Sequence, residues 1–524
     1  MTDKKDCMTM EQAEQKMECL REVFSIVRLV DGEMLEKRAE HSADADVMEM
    51  CQCYSFWNKA KPCENCISMK SLREKKQEAK LEFLDSDIFQ VFSRYVEIDG
   101  KPYVMEMLKK LDEDTLIDAV GYGKMVQKLS VYNDKLYRDA LTGAYNFNTD
   151  AFWKNFLRDL ELGQLDNTEG YVCATVPQTG PAGIGFISML GWGNAVTILP
   201  EMMYRQFGDE EALPRQYESM KLFVEAEIRK MGKKNLWIGP SLGDWLAMGK
   251  GIAWQAMHNN PVSNAFIVHD LKVISETAER LGKREDAARY RRQLAATTDA
   301  YIKKFVSKNG IVAKDYQSAY IMALKYVLPE GELRERVKKN FVANIRKNGL
   351  QTGFFATEHL LPLLVEAGEQ KLAYDVLLQE NCPGWMYQVK CGATTTWERW
   401  DALKPDGTVN EEKMAGSGEN MVSFNHYAFG SVGEFYYQYI LGIRPEKPGF
   451  AKLHFAPYPD ERLGGVSGSY LSVAGKIESA WRYEADGCHI RLATPVEAVV
   501  LLPDGRSENV PAGTYEWTVK RPNL

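Results

Sequence analysis

The feature that most constrains the fold of this chain is a series of helical patterns between residues 194 and 441. Apolar side chains recur at three- and four-residue spacing in eight segments, at 194–207, 211–231, 262–282, 286–307, 316–327, 330–346, 357–380 and 423–441. Turns such as Phe207-Gly208-Asp209 separate them. The absence of a strand-rich interval predicts a toroid of paired helices with a ligand site at the mouth formed by inter-helix loops. A plain α-solenoid is the alternative, although no repeated motif supports it.

The pattern changes on both sides of this helical region. After Gly442-Ile443-Arg444-Pro445, short alternating runs and hairpin turns predict a β-sandwich. Before it, an apolar run at 88–98, the turn Asp99-Gly100 and a run at 103–107 predict a hairpin within a small α+β module. The sequence therefore predicts four parts: an α+β module at 1–112, a linker helix at 113–143, an all-α domain at 144–444 and an all-β domain at 445–524.

The composition argues against some classes of binding partner. The 524 residues carry a net charge of -8, which argues against nucleic acid as a main partner because nucleic-acid binding usually needs a basic face. The charged start Met1–Asp6 is not followed by an apolar segment of the signal-peptide type, and no run of 18 apolar residues occurs. We therefore expect a cytoplasmic protein without a membrane span. The oligomeric state does not follow from the sequence.

Four of the ten cysteines fall close together. Cys51 and Cys53 form a C-x-C pair, and Cys63 and Cys66 form a C-x2-C pair. Four thiolates at such spacing can hold zinc. The alternatives are small apolar residues in a tight core or a redox pair, since the C-x-C half is unusual for zinc. Zinc is thus a hypothesis for the N-terminal module, and no cofactor is expected for catalysis.

The stretch Gly392–Asp401 places the carboxylate Glu398 between the indoles of Trp397 and Trp400. Aromatic planes suit the apolar faces of sugar rings, and a carboxylate beside them can activate water or bind hydroxyls. The alternative interpretation is a buried aromatic turn with a surface pair between Glu398 and Arg399.

Three further loops rich in aromatic and polar residues come at predicted helix starts. They contain Trp192, the pair Asp244-Trp245, and His426. Each alone is a weak signal, because tryptophan is more often a core residue than a sugar platform and a single histidine is more often structural. Asp244 has a second interpretation as the cap of a helix beginning at Trp245-Leu246. Four such loops in order around a toroid favour a shared site.

Together these segments resemble an inverting α-L-rhamnosidase of the glycoside hydrolase family 78 type over residues 144–524. The matching motifs are Ala144-Tyr145-Asn146-Phe147, Trp192-Gly193-Asn194-Ala195, Gly243-Asp244-Trp245-Leu246, Thr352-Gly353-Phe354-Phe355, Gly392-Ala393-Thr394-Thr395-Thr396-Trp397-Glu398 and Ser423-Phe424-Asn425-His426-Tyr427. The resemblance implies an (α/α)6 barrel that hydrolyses terminal α-L-rhamnose. It implies that Glu398 is the general base. The residues it implies for substrate binding are Trp192, Asp244, Trp245, Trp397 and His426.

The chain departs from the family at two places. Asn194 stands where the family usually has Asp. The family's general acid lies in an Asp-Glu-rich segment just before its Ala-Tyr-Asn-Phe match, whereas this chain has Tyr137–Gly143 there. The resemblance therefore implies that the acid loop and the first barrel helix are missing. Asp139 is the only nearby carboxylate that could substitute for the acid.

The front of the chain resembles a different class of protein. Cys53–Trp57, Pro62–Cys66 and the run Leu136–Asn146 resemble PAS-type sensors fused to diguanylate cyclases, but no Gly-Gly-Asp/Glu-Glu-Phe signature follows. We therefore expect a rhamnosidase-type glycoside hydrolase without its usual general acid, acting on substrates that bear α-L-rhamnose. The alternative is a non-catalytic carbohydrate-binding or sensor protein.

Overall fold

A computed structural model describes residues 8–21, 24–40, 66–84, 87–111, 140–165, 169–172, 176, 189–241, 243–412 and 422–520. The chain divides into two compact units, Met1–Gln127 and Lys128–Leu524. None of the helices within the described residues is both long enough and apolar enough to cross a membrane.

The N-terminal unit is an α+β fold, as the sequence predicts. Its helices are α1 (Met10–Arg21), α2 (Gly32–Glu40) and α3 (Ile67–Glu74), and its strands are β1 (Ile26–Asp31), β2 (Gln77–Leu84), β3 (Asp87–Ile98) and β4 (Lys101–Leu111). The four strands form one antiparallel sheet in the order β1-β4-β3-β2. The buried side chains of Leu35 and Leu72 pack against Val30 and Val104, so that α2 and α3 cover one face of the sheet.

Two predictions about this unit remain predictions. Cys51, Cys53 and Cys63 lie outside the described residues, and Cys66 immediately precedes α3. Zinc binding therefore stays a hypothesis. The α+β class is confirmed, whereas the resemblance to a PAS sensor stays a prediction.

The second unit begins with helices, most of which the periodicity predicts. They are α4 (Ala140–Asn146), α5 (Asp150–Leu165), α6 (Ala195–Phe207), α7 (Ala212–Met231), α8 (Ile252–His258), α9 (Asn260–Arg280), α10 (Arg284–Phe305), α11 (Gln317–Met322), α12 (Glu332–Asn348), α13 (Phe354–Glu366), α14 (Gln370–Leu377), α15 (Trp385–Lys390) and α16 (Val432–Phe435). A π-helical turn, Ala323–Val327, extends α11, and 3₁₀ and π turns flank α16 at Ala428–Ser431 and Tyr436–Ile440.

Six of these helices form a closed inner ring within the described part of the chain. In order around the ring they are α4, α6, α9, α11, α13 and α16, and α16 contacts α4 again. Helices α5, α7, α10, α12 and α14 pack outside them. The inner helices are apolar on most faces; α9 buries Val262, Phe266, Leu271 and Ile274, among others. Burial on both sides is what an inner helix of a toroid requires. The predicted toroid of paired helices is therefore confirmed.

Helix α4 corrects the expectation that the first barrel helix is missing. The hydroxyl of Thr142 accepts a hydrogen bond from the Glu434 backbone N–H (3.1 Å) and lies against Gly433 of α16. The Asn146 side chain accepts one from the Tyr437 hydroxyl (3.0 Å). Seven residues of the run Leu136–Asn146, which was compared above with a diguanylate cyclase, thus form α4. This helix fills the position that closes the ring. Its neighbours α6 and α16 both contact it.

The C-terminal part is a β-sandwich, as predicted. Its strands are β5 (Ile443–Lys447), β6 (Lys452–Phe455), β7 (Gly465–Ser472), β8 (Gly475–Glu484), β9 (Gly487–Thr494), β10 (Ala498–Leu501), β11 (Ser507–Val510) and β12 (Gly513–Val519). They form two four-stranded sheets, β11-β10-β6-β5 and β12-β9-β8-β7. All neighbours are antiparallel except β6 and β10.

Aromatic side chains with polar tips join the sandwich to the helices. The indole N–H of Trp481 donates to the Ile440 carbonyl (2.7 Å), and the Tyr145 hydroxyl of α4 donates to the Ile443 carbonyl (3.0 Å). The ring of Tyr145 also meets Tyr470 of β7 edge-on, with centroids 4.8 Å apart. Large buried rings whose polar atoms are hydrogen-bonded stabilise such an interface. The sandwich therefore supports α4, which completes the ring.

A polar cavity of about 500 Å³ lies inside the ring. Its lining includes Glu201, His269, Lys325, Glu358 and Glu434. Burial and the charge of Glu358 raise the pKa of Glu434 to about 8. Burial lowers the pKa of His269, but hydrogen bonds to Asp270 and Glu201 outweigh that effect and raise it to about 9. The inner helices therefore carry titratable groups on the faces that line this cavity.

Substitution of Gly433 tests whether α4 occupies the ring. Alanine normally stabilises a helix interior relative to glycine by about 0.5–1 kcal/mol. A Cβ at Gly433 would lie 2.5 Å from Cγ2 of Thr142. We therefore expect Gly433→Ala to lower the free energy of unfolding by about 1–3 kcal/mol. Adding Thr142→Ser, which removes Cγ2 and keeps the hydroxyl, should restore it in denaturant unfolding. A stabilising Gly433→Ala would contradict the position of α4.

Glu434 predicts a pH-dependent effect on stability. Its raised pKa keeps it protonated in the folded chain between about pH 4.5 and about pH 8, where the unfolded carboxyl is ionised. The unfolded state then binds fewer protons, so this group makes folding less favourable as the pH rises through that window. Glu434→Gln removes the effect. Its melting temperature should exceed that of the unsubstituted chain by more at about pH 8 than at about pH 5. Glu210→Gln, at an exposed position, is the control, and equal differences at both pH values would refute the assignment.

Candidate functional site

Two segments selected from the sequence lie side by side. The backbone N–H of Glu398 donates to the Ser423 carbonyl (2.8 Å), and that of His426 donates to the Thr396 carbonyl (2.9 Å). The Thr396 hydroxyl adds a bond to the His426 carbonyl (2.6 Å). These bonds pair residues 396–398 with residues 423–426. The pairing holds Glu398 and His426 in one place.

The indole rings of Trp397 and Trp400, on either side of Glu398, are buried in the core. Trp397 is 3% exposed and meets Phe424 edge-on, with centroids 5.3 Å apart. Trp400 is 0% exposed, stacks on Phe429 at 3.8 Å and donates its indole N–H to the Thr352 carbonyl (2.9 Å). The expectation that Trp397 contacts substrate stays a prediction, although its ring has almost no exposed face. Glu398 itself is half-buried between these anchors.

The arginine next to Glu398 pairs with other carboxylates. Arg399 lies 2.7 Å from Asp401 and 2.9 Å from Glu412, and Asp401 also accepts from the Asn410 amide (2.9 Å). Burial lowers the pKa of Arg399, but the bonds to Asp401 and Glu412 outweigh it and raise that pKa. This network holds in place the residues that follow Glu398. The ion pair between Arg399 and Glu412 could not be predicted from the sequence, because Glu412 lies fourteen residues beyond Glu398.

His426 is held in one orientation. It is 6% exposed, and its ring lies 5.1 Å from that of Phe354 at the start of α13. Its Nδ1 accepts a hydrogen bond from the Ala428 backbone N–H (3.2 Å). An accepting Nδ1 assigns the proton to Nε2, so the ring is a neutral donor at that nitrogen. A donor of this kind suits a sugar hydroxyl.

Asp244 is a helix cap, but of a different helix from the one expected. Residues 245–250 form turns, so the predicted helix at Trp245-Leu246 is wrong. The fully buried carboxylate instead accepts from the backbone N–H groups of Gly353 (2.8 Å), Phe355 (2.6 Å) and Ala356 (3.0 Å), and from the Ser318 hydroxyl. It therefore closes the N-terminus of α13, where a negative charge is favoured.

The turn carrying Trp245 packs directly on the start of α13. The Trp245 carbonyl accepts from the Phe354 N–H (3.0 Å), and Trp245 is 7% exposed. A Cβ on Gly353 would come within 2.2 Å of that carbonyl, so only glycine allows this approach. The motifs Gly243–Leu246 and Thr352–Phe355 thus form one unit beside His426.

The segment around Trp192 is tied to the ring through Asn194. The Trp192 side chain lies outside the described residues. Asn194 is fully buried; its carbonyl oxygen accepts from the Gly191 N–H (2.5 Å), and its amide donates to Asp270 of α9. An aspartate at this position could not donate to Asp270. The amide of Asn194 is therefore complementary to the buried carboxylate of Asp270.

Asp244→Asn tests the capping role. Asparagine keeps one acceptor oxygen, loses the charge and turns an amide donor toward backbone N–H groups, which leaves buried donors unsatisfied. We expect the free energy of unfolding to fall by about 2–3 kcal/mol, whereas Ser318→Ala, which removes one donor, should cost about 1 kcal/mol. Denaturant unfolding measures both. An Asp244→Asn chain of unchanged stability that no longer binds sugar would identify Asp244 as a ligand instead.

Comparisons with known proteins agree with this architecture. The family model described as the bacterial alpha-L-rhamnosidase 6 hairpin glycosidase domain matches residues 131–440, and that of the bacterial alpha-L-rhamnosidase C-terminal domain matches residues 442–515. The first range includes the run Leu136–Asn146. That run therefore belongs to the helical domain, and the resemblance to a diguanylate cyclase is not supported.

Individual relatives cover most of this chain. An alpha-L-rhamnosidase of Alteromonas sp. (strain LOR) is 33% identical over 67% of this chain, and one of Streptomyces avermitilis is 30% identical over 77% of it. The chain spans 38% of the length of each of these relatives.

Solved structures show the same fold. The native rhamnosidase from Aspergillus terreus aligns with a TM-score of 0.67 and 28% identity over 74% of this chain and 45% of its own. The Streptomyces avermitilis rhamnosidase in complex with L-rhamnose aligns with a TM-score of 0.68 and 26% identity over 81% of this chain and 44% of its own. With its inner ring, the paired segments at Glu398 and the sandwich, the chain belongs to the bacterial α-L-rhamnosidase family of six-hairpin glycosidases.

Proposed function

We propose that this chain binds terminal α-L-rhamnose and hydrolyses its glycosidic bond with inversion, using Glu398 as the general base. The observation that carries the proposal is the pairing of residues 396–398 with residues 423–426, which holds Glu398 beside His426. The family membership and the rhamnose complex of the Streptomyces avermitilis relative support the choice of sugar.

In the proposed reaction, Glu398 removes a proton from a water molecule. The water oxygen attacks the anomeric carbon while the bond to the leaving oxygen breaks, and the leaving group takes the electron pair. An inverting enzyme normally protonates that oxygen with a second carboxyl group. Residues 137–143 supply no counterpart of the family's acid segment, and Asp139 lies outside the described residues. The reaction therefore depends on how readily the leaving group departs unprotonated.

The dependence of the proposed reaction on the leaving group can be tested with different substrates. α-L-Rhamnosyl fluoride and aryl rhamnosides carry leaving groups that need little protonation, so we expect the chain to hydrolyse them. Methyl α-L-rhamnoside needs the missing acid, whose loss typically costs about 10²–10⁴-fold in rate. The ratio of kcat/KM for the fluoride and the methyl glycoside should exceed that of an α-L-rhamnosidase with an intact acid segment by about this factor.

Glu398→Gln identifies the base. It should abolish hydrolysis of the fluoride and leave rhamnose binding, measured by calorimetry, close to that of the unsubstituted chain. Glu411→Gln, at an exposed position in the same region, is the matched control and should keep full turnover. Equal turnover by Glu398→Gln would exclude Glu398 as the base. Rhamnose binding without turnover of any substrate would favour the alternative of a non-catalytic carbohydrate-binding protein.

A further inference from the structure

Two buried carboxylates lie where helices α6, α7 and α9 pack against one another. Asp270 of α9 and Glu227 of α7 are each 0% exposed. The proposed reaction uses neither of them. A carboxylate in the interior is costly unless a cation or hydrogen bonds compensate its charge. The groups that surround this pair therefore decide which ligand it can bind.

Asp270 is held in one orientation from the start of α6. One of its oxygens accepts a hydrogen bond from the Thr197 hydroxyl, and the other accepts from the Asn194 amide. The Asn194 side chain is itself fixed, because its oxygen accepts from the Gly191 N–H (2.5 Å). Carboxylate and hydroxyl oxygens keep further lone pairs when they make one such bond. Asp270 and Thr197 therefore present oriented oxygens that can also contact a cation.

Glu227 lies beside Asp270 without such partners. Neither of its carboxylate oxygens has a hydrogen-bond partner among the described residues, although both oxygens are buried. Burial and the neighbouring charge of Asp270 raise the pKa of Glu227 well above its usual range. Buried polar atoms in folded proteins nearly always have a partner, so a carboxylate in this position points to a ligand.

The counter-charges near the pair are shared with other groups. In the described part of the chain, no lysine or arginine nitrogen lies within 4.0 Å of Asp270 or Glu227. Nδ1 of His269 is 3.8 Å from Asp270, and its Nε2 is 3.5 Å from Glu201. Glu201 also pairs with Arg205 (3.0 Å). Asp270 thus shares one imidazole, whereas Glu227 is the carboxylate that lacks a counter-charge.

The available oxygens favour one class of cation. Glu227, Asp270 and Thr197 offer two carboxylates and a hydroxyl, from three different helices. Ca²⁺ binds about six to eight oxygens, carboxylates and water among them, in a flexible geometry. Mg²⁺ demands a near-ideal octahedron and gives up its water reluctantly, and Zn²⁺ prefers nitrogen and sulfur. A buried set of oxygens with two carboxylates therefore suits calcium best.

We propose that Glu227, Asp270 and Thr197 form a buried calcium site that joins α7 to α6 and α9. The ion supplies the counter-charge that Glu227 lacks and links an outer helix of the toroid to two inner helices. The site involves neither rhamnose nor Glu398, so it stands or falls independently of the proposed function.

Thermal unfolding of the full chain with defined cations tests the site. The chain is dialysed against EGTA, and its melting temperature is measured alone and with about 1 mM CaCl₂, MgCl₂ or NaCl. Calcium should raise the melting temperature by several degrees, because an ion that binds only the folded state stabilises it by mass action. Magnesium should raise it less, and sodium should leave it unchanged.

Glu227→Gln keeps the shape of the side chain and removes its charge. Its melting temperature should no longer respond to CaCl₂, and in EGTA it should be at least that of the unsubstituted chain, since a buried carboxylate without a counter-charge is gone. Glu218→Gln, at an exposed position on the same helix, is the matched control and should keep the full calcium response. Thr197→Val, which removes one ligand oxygen, should weaken the response.

An exposed group of possible ligands has to be distinguished from this site. Glu484, Asp486 and His489 lie on the β8–β9 hairpin with their ligating atoms within 4.8 Å of one another. Asp486→Asn should leave the calcium response unchanged. A response that Asp486→Asn abolishes and Glu227→Gln preserves would overturn the proposal. So would a melting temperature that CaCl₂ does not change, because a proton rather than a metal ion would then neutralise Glu227.

Discussion

The structure depends on one buried carboxylate. Asp244 accepts hydrogen bonds from three backbone N–H groups at the start of α13 and from Ser318 of α11. Each of these donors would be costly to bury without a partner, and the N-terminus of α13 favours the negative charge. A single side chain therefore joins the 243–246 turn to two neighbouring inner helices. The position of Phe354, and through it that of His426, follows from this cap.

Glu398 reaches its position by a second set of constraints. Its segment is neither helix nor part of a large sheet, and two backbone hydrogen bonds to residues 423–426 define it. The flanking indoles occupy the core, with Trp400 stacked on Phe429 and bonded to Thr352. Thr352 precedes Gly353, whose backbone N–H donates to Asp244. The segment that carries Glu398 and the cap at Asp244 are thus joined through two consecutive residues.

Most of the helical architecture could be predicted because its signals are local. Helices α6 and α7 begin and end within one residue of the predicted ranges. The end of α6 could be predicted because the apolar pattern stops at Gly208, whose φ of 68° ends the helix. The predicted helix at 357–380 was wrong as a single element: it is α13 and α14, separated at Ala367–Glu369, where Gly368 has a φ of 79°. An isolated glycine in an apolar pattern does not by itself reveal such a break.

The candidate site was harder to predict because its contacts join residues far apart in sequence. The motifs identified Glu398 and His426, but residues 423–427 were expected in a helix and instead pair with residues 396–398. Trp397 and Asp244 were expected at the substrate, yet one is in the core and the other caps α13.

The candidate site and the segment before α4 are separate parts of the chain. The cap at Asp244 and the segments that carry Glu398 and His426 all lie between residues 244 and 426, outside the helices. The family's acid would come from the segment before α4, and α4 itself keeps its place through Thr142, Tyr145 and Asn146. The ring of inner helices therefore closes without a counterpart of the family's acid segment. In the proposed reaction, leaving-group reactivity is then the main determinant of the rate.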